Sequence, residues 1–175
     1  MFYKYGKKIS LIFSVIMILV LTIIDQLSKV FAINNLKDQQ DIIIIKNVLH
    51  LHYLENTGAA FSILSGKMPV FFILTPILVL GLIYFLFIMP ENKRFLAFDY
   101  IIVFTIAGAI GNYIDRIRFN YVVDFIYFVP INFPVFNVAD IYVTCSVIIL
   151  IILIMVYYKE ADFDLIKSNM KLKKG

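Results

Sequence analysis

The chain has 175 residues, 62% of them hydrophobic and only 16% charged. That composition excludes a water-soluble domain of this length and leaves no room for a second one, so 1–175 is expected to form a single integral membrane domain. The net charge of +4 is carried largely by basic residues flanking the apolar runs, which anionic lipid headgroups explain without nucleic acid.

The first apolar run covers about 9–32. Lys4, Lys7 and Lys8 precede it in the manner of a signal peptide. The run is too long for that, and Val30-Phe31-Ala32 is a poor cleavage site, so a retained span is expected. Asp25 lies about 10 Å from its outer end at 1.5 Å per residue, and Lys29 follows at i+4 on the same face. Next comes DIIIIKNVLHLHYLENTGAAFSIL. The β-branched run 42–45, a turn at Lys46-Asn47 and the partial alternation of 48–54 predict strands or a hairpin. An apolar-faced strand just outside a membrane should lie on the bilayer or cover a cavity. His50 and His52 share a strand face but have no further ligands nearby, so a polar face is the better reading and no metal is expected. In NTGAAFS, Gly58, Ala59 and Ala60 permit close backbone approach, as an ordinary turn or as a substrate-facing loop.

The second and third runs cover about 69–89 and 95–114, the fourth about 138–158. Each is near the roughly 20 residues that cross a bilayer as a helix. Ten of the sixteen basic residues lie at 4–8, 93–94 and 159–174, which puts both termini in the cytoplasm and 33–68 and 115–137 outside. The outer segment YVVDFIYFVP surrounds Asp124 with apolar neighbours, so it should pack on the bundle or dip into the interface. Cys145, the single cysteine, lies inside the fourth run and reads as a packing residue. The basic end, about 160–175, reads as a flexible tail.

The polar residues of the spans share one depth. Asp25 and Lys29, then Asn112, Asp115 and Arg116, then Asn137 and Asp140 all fall near the outer boundary, with Asp124 in the loop between the last two spans. Taken singly, each has a plain explanation. Asp140 suits the positive end of a helix, Asp115 and Arg116 an interfacial pair, Asp124 a turn. A layer drawn from three spans and a loop instead indicates a functional site. With both histidines in the first outer loop and no metal set, the chemistry left is that of two carboxylates sharing a proton and activating water. Spacing does not select which two. A transporter using the same carboxylates would need polar groups through the full membrane thickness, and the inner halves hold little beyond Asp99. A non-catalytic lipopeptide-binding protein would not need both Asp124 and Asp140.

The motifs DQLSK (25–29), ENTGAAFS (55–62), AGAIGNYIDR (107–116), VVDF (122–125) and FPVFNVAD (133–140), in this order, resemble those of lipoprotein signal peptidase, the signal peptidase II family. The resemblance covers the chain apart from its tails. It implies a four-helix membrane bundle with a small β-rich extracytoplasmic layer, lying in the bacterial cytoplasmic membrane. It implies an aspartyl endopeptidase that removes the signal peptide of a diacylglyceryl-modified prolipoprotein just before the lipidated Cys. Asp124 and Asp140 match the catalytic pair. Asp25, Lys29, Asn56, Gly58, Asn112, Asp115, Arg116 and Asn137 match positions that support the site or meet substrate. No cofactor is needed; lipidated prolipoproteins and membrane lipids are the partners, and a monomer is expected. Two departures stand out: Ala107-Gly108 where two glycines are usual, and Ile141 where Ser often follows FNVAD. Neither touches a proposed catalytic carboxylate.

Overall fold

The computed structural model describes residues 6–58 and 68–172. Four helices are long and apolar enough to cross a bilayer: α1 (Lys7–Leu36), α2 (Met68–Ile88), α3 (Leu96–Phe119) and α4 (Val138–Ile152), the last prolonged by a π-turn over Leu153–Tyr157. Between and after them lie strands β1 (Ile42–Ile45), β2 (Leu49–Asn56) and β3 (Val122–Phe128) and a terminal helix α5 (Glu160–Leu172). The expected runs all form helices, but α1 and α3 overrun them. At 30 residues α1 is about 45 Å long, more than the roughly 30 Å of a hydrocarbon core. The excess carries its last turns up to the sheet. α3 stops only at Asn120, whose left-handed conformation (φ 62°) ends the helix while its N–H reaches Arg116 O.

α3 is the hub, with α1, α2 and α4 packed around it. Its close approach to α4 depends on Gly108, because a Cβ there would lie 2.6 Å from the Ala139 carbonyl oxygen. The neighbouring Ala107 is fully buried, so its methyl is accommodated. At the basic end, Leu86, Met89, Phe95, Ile102, Val103, Ile106 and Tyr158 form an apolar core with Leu11, Met17 and Ile18 of α1. Lys7 Nζ donates to Met89 O (2.9 Å), which places the start of α1 beside the end of α2.

The sheet has the order β1-β2-β3 and is antiparallel throughout. Its hairpin turns at Lys46-Asn47, with Asn47 at φ 59°. Leu51 and Tyr53 pack with Val123 and Phe125 against Ala32 and Leu36, which seats the sheet on the end of α1. His52 Nδ1 lies 2.8 Å from Asp41 Oδ1, and both histidine rings face Tyr127. The segment around Asp124 is the third strand, pairing Leu54 with Asp124 and Asn56 with Val122. Its run of β-branched and aromatic residues, ending at Pro130, was a strand signal.

The expected flexible tail is corrected over its described part: Glu160–Leu172 is helical. Asp162 pairs with Arg94 through both carboxylate oxygens and accepts Lys159 N, and Asn169 Nδ2 donates to Ile88 O. Ile166 packs into the basic-end core. The chain folds back because these contacts satisfy helix-end groups of α2 and α5 that would otherwise lack partners. Lys4, Ala59 and Ala60 with the rest of 59–67, and Lys173 and Lys174 lie outside the described residues.

Candidate active site

Asp124 and Asp140 reach the site from different directions. β3 presents Asp124 from its buried middle, 1% exposed. Asp140 stands in the first turn of α4, the half-buried third residue of a capping box. Asn137 is the cap: its Oδ1 accepts Asp140 N (3.0 Å), and its own N–H donates to Asp140 Oδ2 (3.1 Å). The helix-end explanation of Asp140 is therefore true but partial, since its other oxygen, Oδ1, accepts Asn112 Nδ2 (2.8 Å).

Asn137 also ties the two carboxylates together. With its oxygen committed to the cap, its amide N–H₂ donates to Asp124 Oδ1 (2.6 Å) and Asn112 Oδ1 (3.1 Å). The second oxygen of Asp124 accepts Asn56 Nδ2 (2.8 Å), and Asn56 is oriented in turn because its Oδ1 takes Gly58 N (2.9 Å). Three asparagines thus aim N–H groups at two carboxylates. Asp124 nevertheless has its pKa pushed up to about 7, first by burial and then by the negative charge of Asp140, against the hydrogen bonds from Asn56 and Asn137 and the charge of Lys29.

Beneath the pair lies a buried ionic knot. Lys29 Nζ is 3.0 Å from both Asp25 Oδ2 and Asp115 Oδ2 and donates to Asn112 Oδ1 (2.8 Å). Asp25 and Asp115 each keep an oxygen bond to a neighbouring backbone. Asp25 Oδ1 accepts Ala139 N (2.9 Å), one residue before Asp140. Asp115 Oδ2 accepts Val123 N (3.1 Å), one residue before Asp124. The knot therefore fixes the start of α4 and the start of β3 against the same cation. Gly111 lies where any Cβ would strike the Asp25 carboxylate. Asp115 pairs with Lys29, so the sequence alternative of an Asp115–Arg116 interfacial pair does not hold.

Arg116 lies beside the pair. Its guanidinium stacks over the Phe71 ring at 4.4 Å and donates to Gly58 O (3.3 Å) and Asn112 O (3.4 Å). Its Nε is buried with no hydrogen-bond partner among the described residues. All ten sequence-expected site residues gather here. Two participants were missed. Gln26 Nε2 links Asp25 Oδ2, Asp115 Oδ1 and Gly111 O; the signal was a third polar side chain between Asp25 and Lys29. Phe71 carried no signal, as one phenylalanine in an apolar helix. Among the described residues no group of three or more His, Cys, Asp or Glu side chains is placed to hold a metal ion.

A multi-pass helical bundle with a carboxylate pair bridged by Asn137 at one end has the form of a membrane-embedded enzyme. A model of the family described as Signal peptidase (SPase) II matches residues 17–156. The lipoprotein signal peptidase of Clostridium tetani is 40% identical over 86% of this chain and 95% of its own length. That of Clostridioides difficile is 38% identical over 84% and 97%, and that of Lactococcus lactis 41% over 81% and 93%. A solved structure described as a bacterial membrane enzyme is 34% identical with a TM-score of 0.71, over 84% of this chain and 92% of that one; a second is 35% identical with the same TM-score, over 83% and 94%. The chain belongs to the signal peptidase II family and is an aspartic-type membrane peptidase.

Proposed function

We propose that this peptidase removes the signal peptide from lipid-modified prolipoproteins, cutting before the diacylglyceryl-bearing cysteine, with Asp124 and Asp140 as its catalytic pair. The observation that carries the reading is the bridge through Asn137, whose backbone and side chain bind one carboxylate each. Asp124, the more buried, holds the shared proton near neutral pH. A water oxygen attacks the scissile carbonyl carbon while Asp140 takes the water proton and Asp124 protonates the carbonyl oxygen. On collapse of the gem-diol, the C–N bond breaks, the leaving amine takes the proton from Asp140, and a gem-diol hydroxyl returns one to Asp124. The signal peptide leaves with a new carboxyl group and the lipidated cysteine with a free amine. Atoms and charge balance with water as the only co-reactant.

The topology that goes with this reading puts both termini in the cytoplasm and the site at the extracytoplasmic face of the bacterial cytoplasmic membrane. The basic clusters around Lys7, Lys93, Arg94 and Lys159 support it. A diacylglyceryl anchor holds its peptide bond near the headgroups, the depth of the aspartate layer. Arg116 Nε, without a partner among the described residues, is a donor for a substrate carbonyl. Every described site residue comes from one chain, which supports a monomeric enzyme. The test is cleavage of a lipidated prolipoprotein by Asp124→Asn and Asp140→Asn in lipid. Each should lose at least about 10²-fold in rate; near-native cleavage by either removes that residue from the pair.

A further inference from the structure

The far end of the sheet is apolar and exposed. Ile42, Ile43, Ile44 and Ile45 are all exposed, the last three by more than half, on both faces of the edge strand β1. Beside them stand Phe128, Ile131 (68% exposed) and Phe133. Hydrogen bonds make these one surface: Val129 N donates to Val48 O in the hairpin, and Phe133 N to Phe128 O. Over 42–49 and 126–133 the only charged residue is Lys46, at the hairpin tip and exposed. Water alone is a poor partner for so many large apolar side chains in one place.

Position identifies what covers the surface. β1 begins six residues after the end of α1, and Phe133 lies five residues before the start of α4. Links this short reach less than about 20 Å, so the patch cannot leave the neighbourhood of the bilayer boundary. The adjoining last turns of α1 expose Leu27, Val30 and Phe31, and the first turn of α4 exposes Ile141. Exposed apolar side chains of the spans and of the patch thus lie at the same end of the bundle, and Lys46 is the one cation of the patch.

We propose that the end of the sheet formed by Ile42–Ile45, Ile131 and Phe133 is a membrane anchor inserted into the leaflet on the sheet side, with Lys46 among its headgroup phosphates. Phe128 is four residues along β3 from Asp124, about 13 Å. The anchor therefore pins the sheet at both ends, on α1 and in lipid, and holds Asn56 and Asp124 at a fixed depth. It rests on the chain crossing a bilayer and not on the catalytic reading.

The chain has no tryptophan, so one introduced residue is a clean reporter. Phe133→Trp, Ile44→Trp and the control Glu55→Trp are placed singly in nanodiscs of phosphatidylcholine and phosphatidylglycerol, one copy per disc. Emission at 133 and 44 should be blue-shifted, quenched at least twofold by lipids brominated near the headgroup end of the acyl chain, and insensitive to aqueous iodide. The control should show the reverse. If Phe133→Trp does not fold, Ile44→Trp carries the same measurement. Iodide quenching without bromine quenching at these positions overturns the proposal. Shielding from both overturns it too, since the chain itself then covers the patch. Loss of activity in the dyad variants leaves this readout unchanged, so the two readings fail separately.

Discussion

Asp124 shows how one residue acquires a function from its surroundings. A carboxylate in a strand, one residue after a backbone N–H held by Asp115, is almost wholly removed from water. Between its ordinary value of 3.8 and about 7 it binds more proton folded than unfolded. Its contribution to stability therefore declines as pH rises through that window, by at most about 1.4 kcal/mol per unit, and is level above it. In the catalytic reading the same shift sets the alkaline limb of kcat/KM, expected near pH 7 as a property of the pair. Asn56→Ala removes a hydrogen bond that favours the ionised form, so it should move that limb to higher pH as well as slow the reaction, in pH-rate profiles on lipidated substrate. Lys29→Met leaves Asp25 and Asp115 buried without their cation. Denaturation in detergent should show a loss of about 3–5 kcal/mol. Asp25–Lys29 at i, i+4 was legible along one helix, whereas Asp115 joined the pair only when α3 met α1.

At the scale of elements, the sequence placed every membrane helix and the β1–β2 hairpin, because long apolar runs and β-branched alternation are local patterns. The third strand was not named as one although its composition suits a strand, because the partners that fix its pairing, Leu54 and Phe136, lie elsewhere in the chain. The terminal helix was missed for a similar reason. Its polar composition reads as a solvated tail until Arg94 and Ile88 supply partners for Asp162 and Asn169. Arg94 holds the Asp162 carboxyl below the usual range, so this tie is present above about pH 4 and is lost as pH falls through the depressed value. Arg94→Ala should lower amide-exchange protection factors across 160–172, as should acidification of the unaltered chain once the slower intrinsic exchange is corrected for. Cleavage in lipid at neutral pH should persist, because this contact lies at the opposite end of the bundle from Asp124.

For the whole molecule, the bundle separates its two ends. The core around Met89, Phe95 and Tyr158 closes the basic end, and the sheet and the Lys29 knot close the other. In a Cys145→Ser background, a membrane-impermeant maleimide should label Lys46→Cys in intact cells and Asp164→Cys only after permeabilisation. The opposite pattern would invert the proposed topology. Among the described residues no charged layer comparable to the Lys29 knot crosses the middle of the bundle, where α1, α3 and α4 present Ile18, Ile106 and Ser146. That agrees with a site entered from one side.

Composition and periodicity by themselves determined that this chain crosses a membrane and carries its polar side chains in one layer, because lipid permits only helices and tolerates charge only where protein or water receives it. The tertiary structure decided which of those groups are joined. Asn137 bridges Asp124 and Asp140, and Lys29 anchors the backbones beside both. A hydrogen bond is directional and only about 3 Å long, so no reading of spacing along the chain could choose between partners up to 114 residues apart, as Asp25 and Ala139 are.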